Sequence, residues 1–342
     1  MLYYHIVNLR IISEYPMRFL TLCSTLAFTP VTSFAAPPQV ATDVAPVHSL
    51  VAQVMGDLGT PGLILPPGAS PHGYSMRPSE AAAIAGADLV VWVGEALTPW
   101  LERPIDNLSA GTPQLELLDV EGIQVFEGRV DAVFGEDHDD HDGHDDHAGH
   151  VDVDHKDEDA HDDHDDHDHS GIDPHAWLDP ENASLWLGAI ATALSDLDPE
   201  NAAIYAANAA AAQVELTTLV NEITAQLAPV ADQPHVVFHD AYQYFEARFG
   251  TTPLGAISIS DASTPSAARL SELRTALSKS GVVCVFAEPQ FDPRLVAAVV
   301  EGTPARTAVL DPLGVDFPLG PEFYGTLIRS MATAKFDCLS GR

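Results

Sequence analysis

The chain has 342 residues, 46% of them apolar, and a formal net charge of −35, from 15 Lys and Arg against 50 Asp and Glu. An acidic balance of that size makes nucleic acid and anionic membrane surfaces poor partners and cations good ones. The length suits two medium-sized domains with cores of their own.

From Met17 the chain reads "MRFLTLCSTLAFTPVTSFAAPP". Arg18 gives a short positive start, Phe19 to Phe34 is largely apolar, and Ser33-Phe34-Ala35 has the small-x-small form of a cleavage site. This predicts a secretory signal peptide over residues 1–36, with residues 1–16 reading as an upstream start artefact, and export to the periplasm. The run is too short, and too broken by Thr and Pro, to span a membrane. Leu22, directly before Cys23, is too large for lipoprotein processing. With Cys23 removed, Cys284 and Cys338 are an even pair in an oxidising compartment and predict a disulfide. Closing a loop of roughly 55 residues is worth about 4 kcal/mol in the chain-entropy model. No later stretch reaches about 18 uninterrupted apolar residues, so the exported chain is expected to be soluble.

In chain order, a helix is predicted over Pro46–Asp57, then strands in "GLIL", "ADLVVWVG" and "PQLELLDV". A long helix follows over 198–229, Ala-rich and free of Gly, with Asp198 as its N-cap and Pro199 in the first helical position. The second half repeats the earlier rhythm. Strands are predicted in "HVVFH", "TPLGAIS", "GVVCVFAEP" and "TAVLDPLG", with helices over Pro265–Ser280, Pro293–Val300 and Pro321–Cys338. Near-continuous apolar strands spaced by helices indicate βαβ units and buried parallel sheets. The expected fold is α/β: two lobes with parallel sheets, residues 37–197 and 230–342, joined by a long rigid helix.

Between the halves lies "EDHDDHDGHDDHAGHVDVDHKDEDAHDDHDDHDHSG", from Glu136 to Gly171, with ten of the sixteen histidines and seventeen carboxylates. It has almost nothing apolar to bury, and Asp, His and Gly are poor helix formers, which predicts a disordered loop over 136–170. His138, His141, His144, His147, His150, His155, His161, His164, His167 and His169 can capture Zn²⁺ in many interchangeable ways. Each capture costs roughly 1–2 kcal/mol per residue ordered, so these are expected to be weak sites.

A tight site needs ligands held in place beforehand. His48 lies on a predicted helix and His235 starts a strand, and both read as structural. His72, His175 and His239 each sit at a strand end or in a loop, where open α/β sheets face their ligand crevice. Asp311, directly after the strand "TAVL", is the preferred oxygen donor. Glu288 is the supporting or reserve carboxylate. Asp240 is expected to cap the helix that follows it.

The segments "PPGASPHGYSMRPS", "DPHAWLDPENA", "VFHDAYQYFEARFG", "VFAEPQF" and "LDPLG" together resemble the ZnuA type of zinc-binding protein of ABC transporters, within the metal-binding cluster of solute-binding proteins. The likeness runs in order through nearly the whole exported chain and includes the His/Asp tract. It implies metal bound in a cleft between the lobes, with His72 and His175 from the first lobe and His239 and Asp311 from the second. Manganese-type relatives carry Glu at the third position, where this chain has His239. Some zinc members carry an acidic residue directly before the first His, where this chain has Pro71, so the fourth ligand is Asp311 or water. Three imidazoles and an oxygen suit Zn²⁺, whereas Mn²⁺ and Mg²⁺ prefer more oxygen.

The resemblance implies a monomeric periplasmic carrier, with Zn²⁺ as its transported ligand and an ABC permease as its partner. A periplasmic zinc buffer and a zinc hydrolase are the competing readings. Against the hydrolase, the sequence has no HExxH, no nucleophile elbow and no phosphate loop.

Overall fold

The computed structural model describes residues 36–129, 131, 133, 134, 171–258 and 266–342. The predicted signal peptide, apart from Ala36, and the His-rich stretch 136–170 lie outside the described residues. Residues Ala36–Arg342 form one unit. No helix among the described residues is long and apolar enough to cross a membrane.

The first half contains β1 (Val40–Thr42), α1 (Ala45–Met55), β2 (Gly62–Leu63), α2 (Pro78–Ala85), β3 (Leu89–Trp92), α3 (Glu102–Leu108) and β4 (Gln114–Glu116). Two helices follow, α4 (Pro180–Leu197) and α5 (Ala202–Leu227). The second half contains β5 (His235–His239), α6 (Gln243–Phe249), β6 (Gly255–Ser258), α7 (Ala267–Ser280), β7 (Cys284–Ala287), α8 (Pro293–Val300), β8 (Arg306–Val309) and α9 (Phe323–Ser340).

Both sheets are parallel and share one topology: the orders are β2-β1-β3-β4 and β6-β5-β7-β8. The inner strands β1, β3 and β5 are buried along their whole length, as "LVVW" and "HVVFH" predict. One apolar core runs through both halves, joining Val47, Leu50 and Trp186 to Tyr242, Phe286 and Leu327. Smaller clusters cover the outer face of each sheet.

All seven predicted strands are present, but the reading missed β1. It is only three residues long, yet it lies between β2 and β3. The long helix is present with a different start. Asp198 does not cap it. Its carboxylate accepts hydrogen bonds from Asn201 Nδ2 and Tyr205 Oη, so it is not available to the backbone N–H groups of a first turn. The helix begins at Ala202, after Asn201. The same pentapeptide, DPENA, occurs earlier, and there the expected chemistry holds: Asp179 accepts from the Glu181 N–H and starts α4.

Helix α5 has 26 residues, about 39 Å at 1.5 Å per residue. It buries Tyr205, Ala209, Ala212, Leu216, Leu219, Ile223 and Leu227, a three-and-four spacing that forms one stripe. Near its start Asn208 donates to Val54 O of α1 and Gln213 donates to Ser184 O of α4. Near its end Glu222 pairs with Arg329 of α9. The helix therefore packs against elements of both halves. The halves are not fully separate, because α9 also returns to α1: Ser49 Oγ donates to Gly320 O and accepts from the Tyr324 N–H.

Cys284 of β7 and Cys338 of α9 form the predicted disulfide, with a Cα–Cα distance of 6.1 Å and a sequence separation of 54. It fastens the last helix to the second sheet. Replacing both cysteines by Ala should lower unfolding free energy by about 4 kcal/mol, read as an earlier urea midpoint. An unchanged midpoint would contradict this role.

Candidate metal centre

The second sheet positions the first ring. β5 is the strand at which the order of that sheet reverses, and the C-terminal end of such a strand opens onto a crevice. His239 is the last residue of β5. Glu288 directly follows β7, the neighbouring strand. The two side chains therefore lie side by side, and His239 Nδ1 donates to Glu288 Oε1 at 2.7 Å. Both residues are buried.

His175 comes from the segment that leads into α4. Asp173 holds it twice: Oδ1 accepts the His175 backbone N–H at 3.0 Å and the ring Nδ1–H at 2.7 Å. This segment is fastened to the second half at three points. Tyr244 Oη donates to Asp173 O, Trp177 Nε1 donates to Pro312 O, and Arg248 pairs with Asp179. His72 is half-buried in the loop between β2 and α2. That loop is held by Trp100, whose indole N–H donates to Pro71 O at 2.7 Å. Tyr74 stacks edge-on against the same indole and donates to Glu80.

The three rings meet. His72 Nε2 lies 3.4 Å from His175 Nε2, and His239 Nε2 lies 3.5 Å from the same atom. Zinc–imidazole bonds of about 2.0–2.1 Å in a tetrahedron put neighbouring nitrogens about 3.3–3.4 Å apart, which is close to the observed spacing. An ionised carboxylate can only accept, so in that state Asp173 and Glu288 hold the ring proton on Nδ1. The Nε2 atoms of His175 and His239 then face each other as lone pairs. Two lone pairs at 3.5 Å repel, and a cation between them removes the repulsion. Among the described residues no group of three His, Cys, Asp or Glu side chains is assembled as a finished metal cage. The arrangement rests on the two nitrogen pairs, both of which share His175.

Asp311 follows β8 and is half-buried. Its Oδ1 accepts the backbone N–H groups of Leu313 and Gly314, and Oδ2 accepts that of Val315. The carboxylate thus organises its own turn. Gly314 adopts φ +66° there, and a Cβ at that position would come within 2.6 Å of the Phe323 ring. The cavity beside the rings is lined by Pro71, His175, Trp177, His239, Glu288, Gln290, Phe291, Pro312 and Leu313.

Two carboxylates depart from the sequence reading. Asp173 was not singled out, although its place two residues before His175 in "DPH" is a signal that a short turn can return its side chain to the ring. Burial pushes Asp173 up to about 7, against the pull of the His175 N–H and the Arg129 charge. Asp240 does not cap α6. It pairs with Arg129, which also reaches Glu246. Beyond Arg129 the described backbone meets the second sheet, where Val133 bridges to Gly255 and the Phe134 N–H donates to Leu254 O. Gly171, four residues before His175, accepts the Gly128 N–H at its carbonyl.

The remaining two described histidines are structural. His48 Nε2 donates to Pro61 O, and burial lowers its pKa. His235 Nδ1 donates to Gln233 O, and its ring lies edge-on to Phe286. Burial depresses its pKa to about 3, helped by the Lys335 charge and opposed by the Gln233 carbonyl.

Comparison with known proteins finds matches over most of the chain. The family model described as zinc-uptake complex component A, periplasmic (ZnuA), matches residues 40–334. A protein of Paracoccus denitrificans named high-affinity zinc uptake system protein ZnuA is 48% identical over 321 residues, covering 94% of this chain and 97% of its own. A Brucella suis protein of the same name is 43% identical over 307 residues, covering 88% and 91%. A crystal structure of a ZnuA deletion mutant with zinc bound has the same fold, with a TM-score of 0.68 at 22% identity, covering 88% of this chain and 98% of that one.

The environment of His235 gives a pH prediction. Its folded value, about 3, lies below its unfolded value of about 6.5. The unfolded chain therefore takes the proton first. The contribution of His235 to stability is present above pH ~6.5 and is lost as pH falls toward its folded value. By NMR, the His235 ring should show no titration between about pH 8 and 5. A midpoint near 6.5 would contradict the assignment.

Proposed function

Since the chain belongs to the ZnuA family, the periplasmic component A of zinc-uptake complexes, we propose that it captures one Zn²⁺ on His72, His175 and His239. The ion sits in the cleft between its two lobes and passes to the membrane permease of an ABC transporter. The observation that carries the reading is that His72 Nε2 and His239 Nε2 lie 3.4 and 3.5 Å from His175 Nε2, close to the spacing of neighbouring nitrogens in a tetrahedral zinc site. Membership of a zinc-uptake family supports a carrier over a hydrolase. Zinc is cargo here, so the site must release what it binds.

In this reading each protein group has one task. The three imidazoles supply borderline-soft nitrogens, which favour Zn²⁺ over Mn²⁺ and Mg²⁺. Asp173 and Glu288 hold two of the rings through Nδ1, which fixes the tautomer and raises the basicity of the coordinating nitrogen. Their two negative charges balance the dication. Glu288 is then a supporting group and not a ligand. The fourth position takes an oxygen, from water or from Asp311. The ligands come from three separate segments, which the stitching by Trp177, Arg248 and Tyr244 holds in register.

The remaining assignments follow the same reading. The signal peptide 1–36 is removed on export, and the carrier acts as a monomer. Residues 37–197 and 230–342 form the lobes on either side of the 198–229 segment, which carries α5 (Ala202–Leu227). Residues 136–170 gather zinc weakly, because each capture must order a segment with no core to fold around.

Titration of the intact chain with Zn²⁺ should show one tight equivalent and several weak ones. Deleting 136–170 should remove only the weak equivalents. His72→Ala, His175→Ala and His239→Ala should each weaken the tight equivalent by more than about 100-fold, the upper range for loss of a mere supporting group. A deletion that takes the tight equivalent with it would contradict the cleft assignment, as would a His175→Ala protein with unchanged affinity.

A further inference from the structure

Gln290 is a polar residue of the cleft to which the reading above gives no task. It stands two residues beyond Glu288 and lines the same cavity as His175 and His239. Its Nε2 donates to Asp311 Oδ1 at 3.4 Å. The carboxylate can only accept, so this contact sets which way round the amide lies. The other polar atom of the side chain is Oε1, which is buried and has no hydrogen-bond partner among the described residues. A buried amide oxygen without a donor costs stability, and such a group calls for a partner.

Asp311 is poorly placed to serve in its stead. Both of its oxygens already accept backbone N–H groups of the Leu313–Val315 turn. Swinging the carboxylate toward the rings would break that turn. Among the residues that line the cavity, the buried side-chain atom without a hydrogen-bond partner is Gln290 Oε1.

We propose that the Gln290 side-chain oxygen seats the fourth ligand of the bound ion. A water molecule completes the tetrahedron and donates a hydrogen bond to Gln290 Oε1. This rests on the cleft reading above and deepens it. Water polarised by a divalent cation is a strong donor, and an amide oxygen is an acceptor that adds no charge. With Asp173 and Glu288 already supplying two negative charges, a neutral acceptor keeps the fourth position occupied without making the site a harder, oxygen-rich one. A water ligand also leaves more readily than a carboxylate fixed to the chain, which suits a site that must give up its cargo.

The test uses the full chain with Zn²⁺ competition and with one equivalent of Co²⁺, whose visible spectrum reports the ligand set. Gln290→Met keeps the length of the side chain and removes its oxygen. It should weaken zinc binding by about 10–100-fold and change the Co²⁺ spectrum. Asp311→Ala removes the contact to Nε2 but keeps the Gln290 oxygen, and should leave the Co²⁺ spectrum as in the unaltered chain. If Gln290→Met does not fold, as judged by its melting without metal, Gln290→Ala is read in its place. A Gln290 variant with unaltered affinity and spectrum would overturn the inference. So would one that loses affinity with an unaltered spectrum, since Gln290 would then only prop the Asp311 turn. A spectrum altered by Asp311→Ala and not by the Gln290 variant would make Asp311 the fourth ligand. Absence of any tight first equivalent in the unaltered chain would instead overturn the cleft reading itself, and this inference with it.

Discussion

Two hydrogen bonds set the character of the site: His175 Nδ1 to Asp173 and His239 Nδ1 to Glu288, both 2.7 Å. Each commits its ring to the tautomer that leaves Nε2 as a lone pair. With the Nε2 atoms of both rings within 3.5 Å of each other, the folded chain brings together donors that repel until a cation arrives. Burial strengthens the effect, because little water is present to screen it. The cost of assembling the donors is met in folding and not in binding, which favours tight binding.

The rest of the fold keeps those rings in place. Two sheets of the same strand order each open a crevice at their carboxyl ends, and β5 delivers His239 to one of them at the point where the strand order reverses. His175 belongs to a different segment, so its position depends on interlocking contacts: Trp177 to Pro312, Asp179 to Arg248, Asp173 to Tyr244. Helix α5 packs on α1 and α4 near one end and on α9 near the other. With α9 tied to the second sheet by Cys284–Cys338, the spacing between the halves is carried by helices and not by loops.

Much of this was legible from the residues, for reasons that differ by element. Strands such as "HVVFH" announce themselves because a parallel strand buried on both faces must be apolar throughout. The three residues of β1 carry too little pattern to be seen, even though the first sheet is built around them. DPENA at 179 and at 198 is one signal with two outcomes. Tyr205 and Asn201 claim the second aspartate, and only the tertiary neighbourhood decides that. His72, His175 and His239 stood out because strand ends in this fold class face the crevice. Asp173 did not, since its value lies in a turn that folds it back onto the ring. Asp311 reads as a donor from its place after a strand, and no spacing reveals the three backbone N–H groups that its carboxylate accepts. Asp240 was read as a cap because it precedes a helix, and Arg129, more than a hundred residues away in sequence, takes it instead.

The central claim is that three imidazoles, and not the carboxylate-rich stretch, hold the tightly bound ion. X-ray absorption at the zinc K-edge, on the full chain loaded with one equivalent of Zn²⁺, tests it directly. The account predicts three imidazole ligands at about 2.0–2.1 Å and one oxygen at about 2.0–2.2 Å, with the multiple scattering typical of histidine rings. A first equivalent bound by one imidazole or none, amid a shell of carboxylate oxygens, would contradict it.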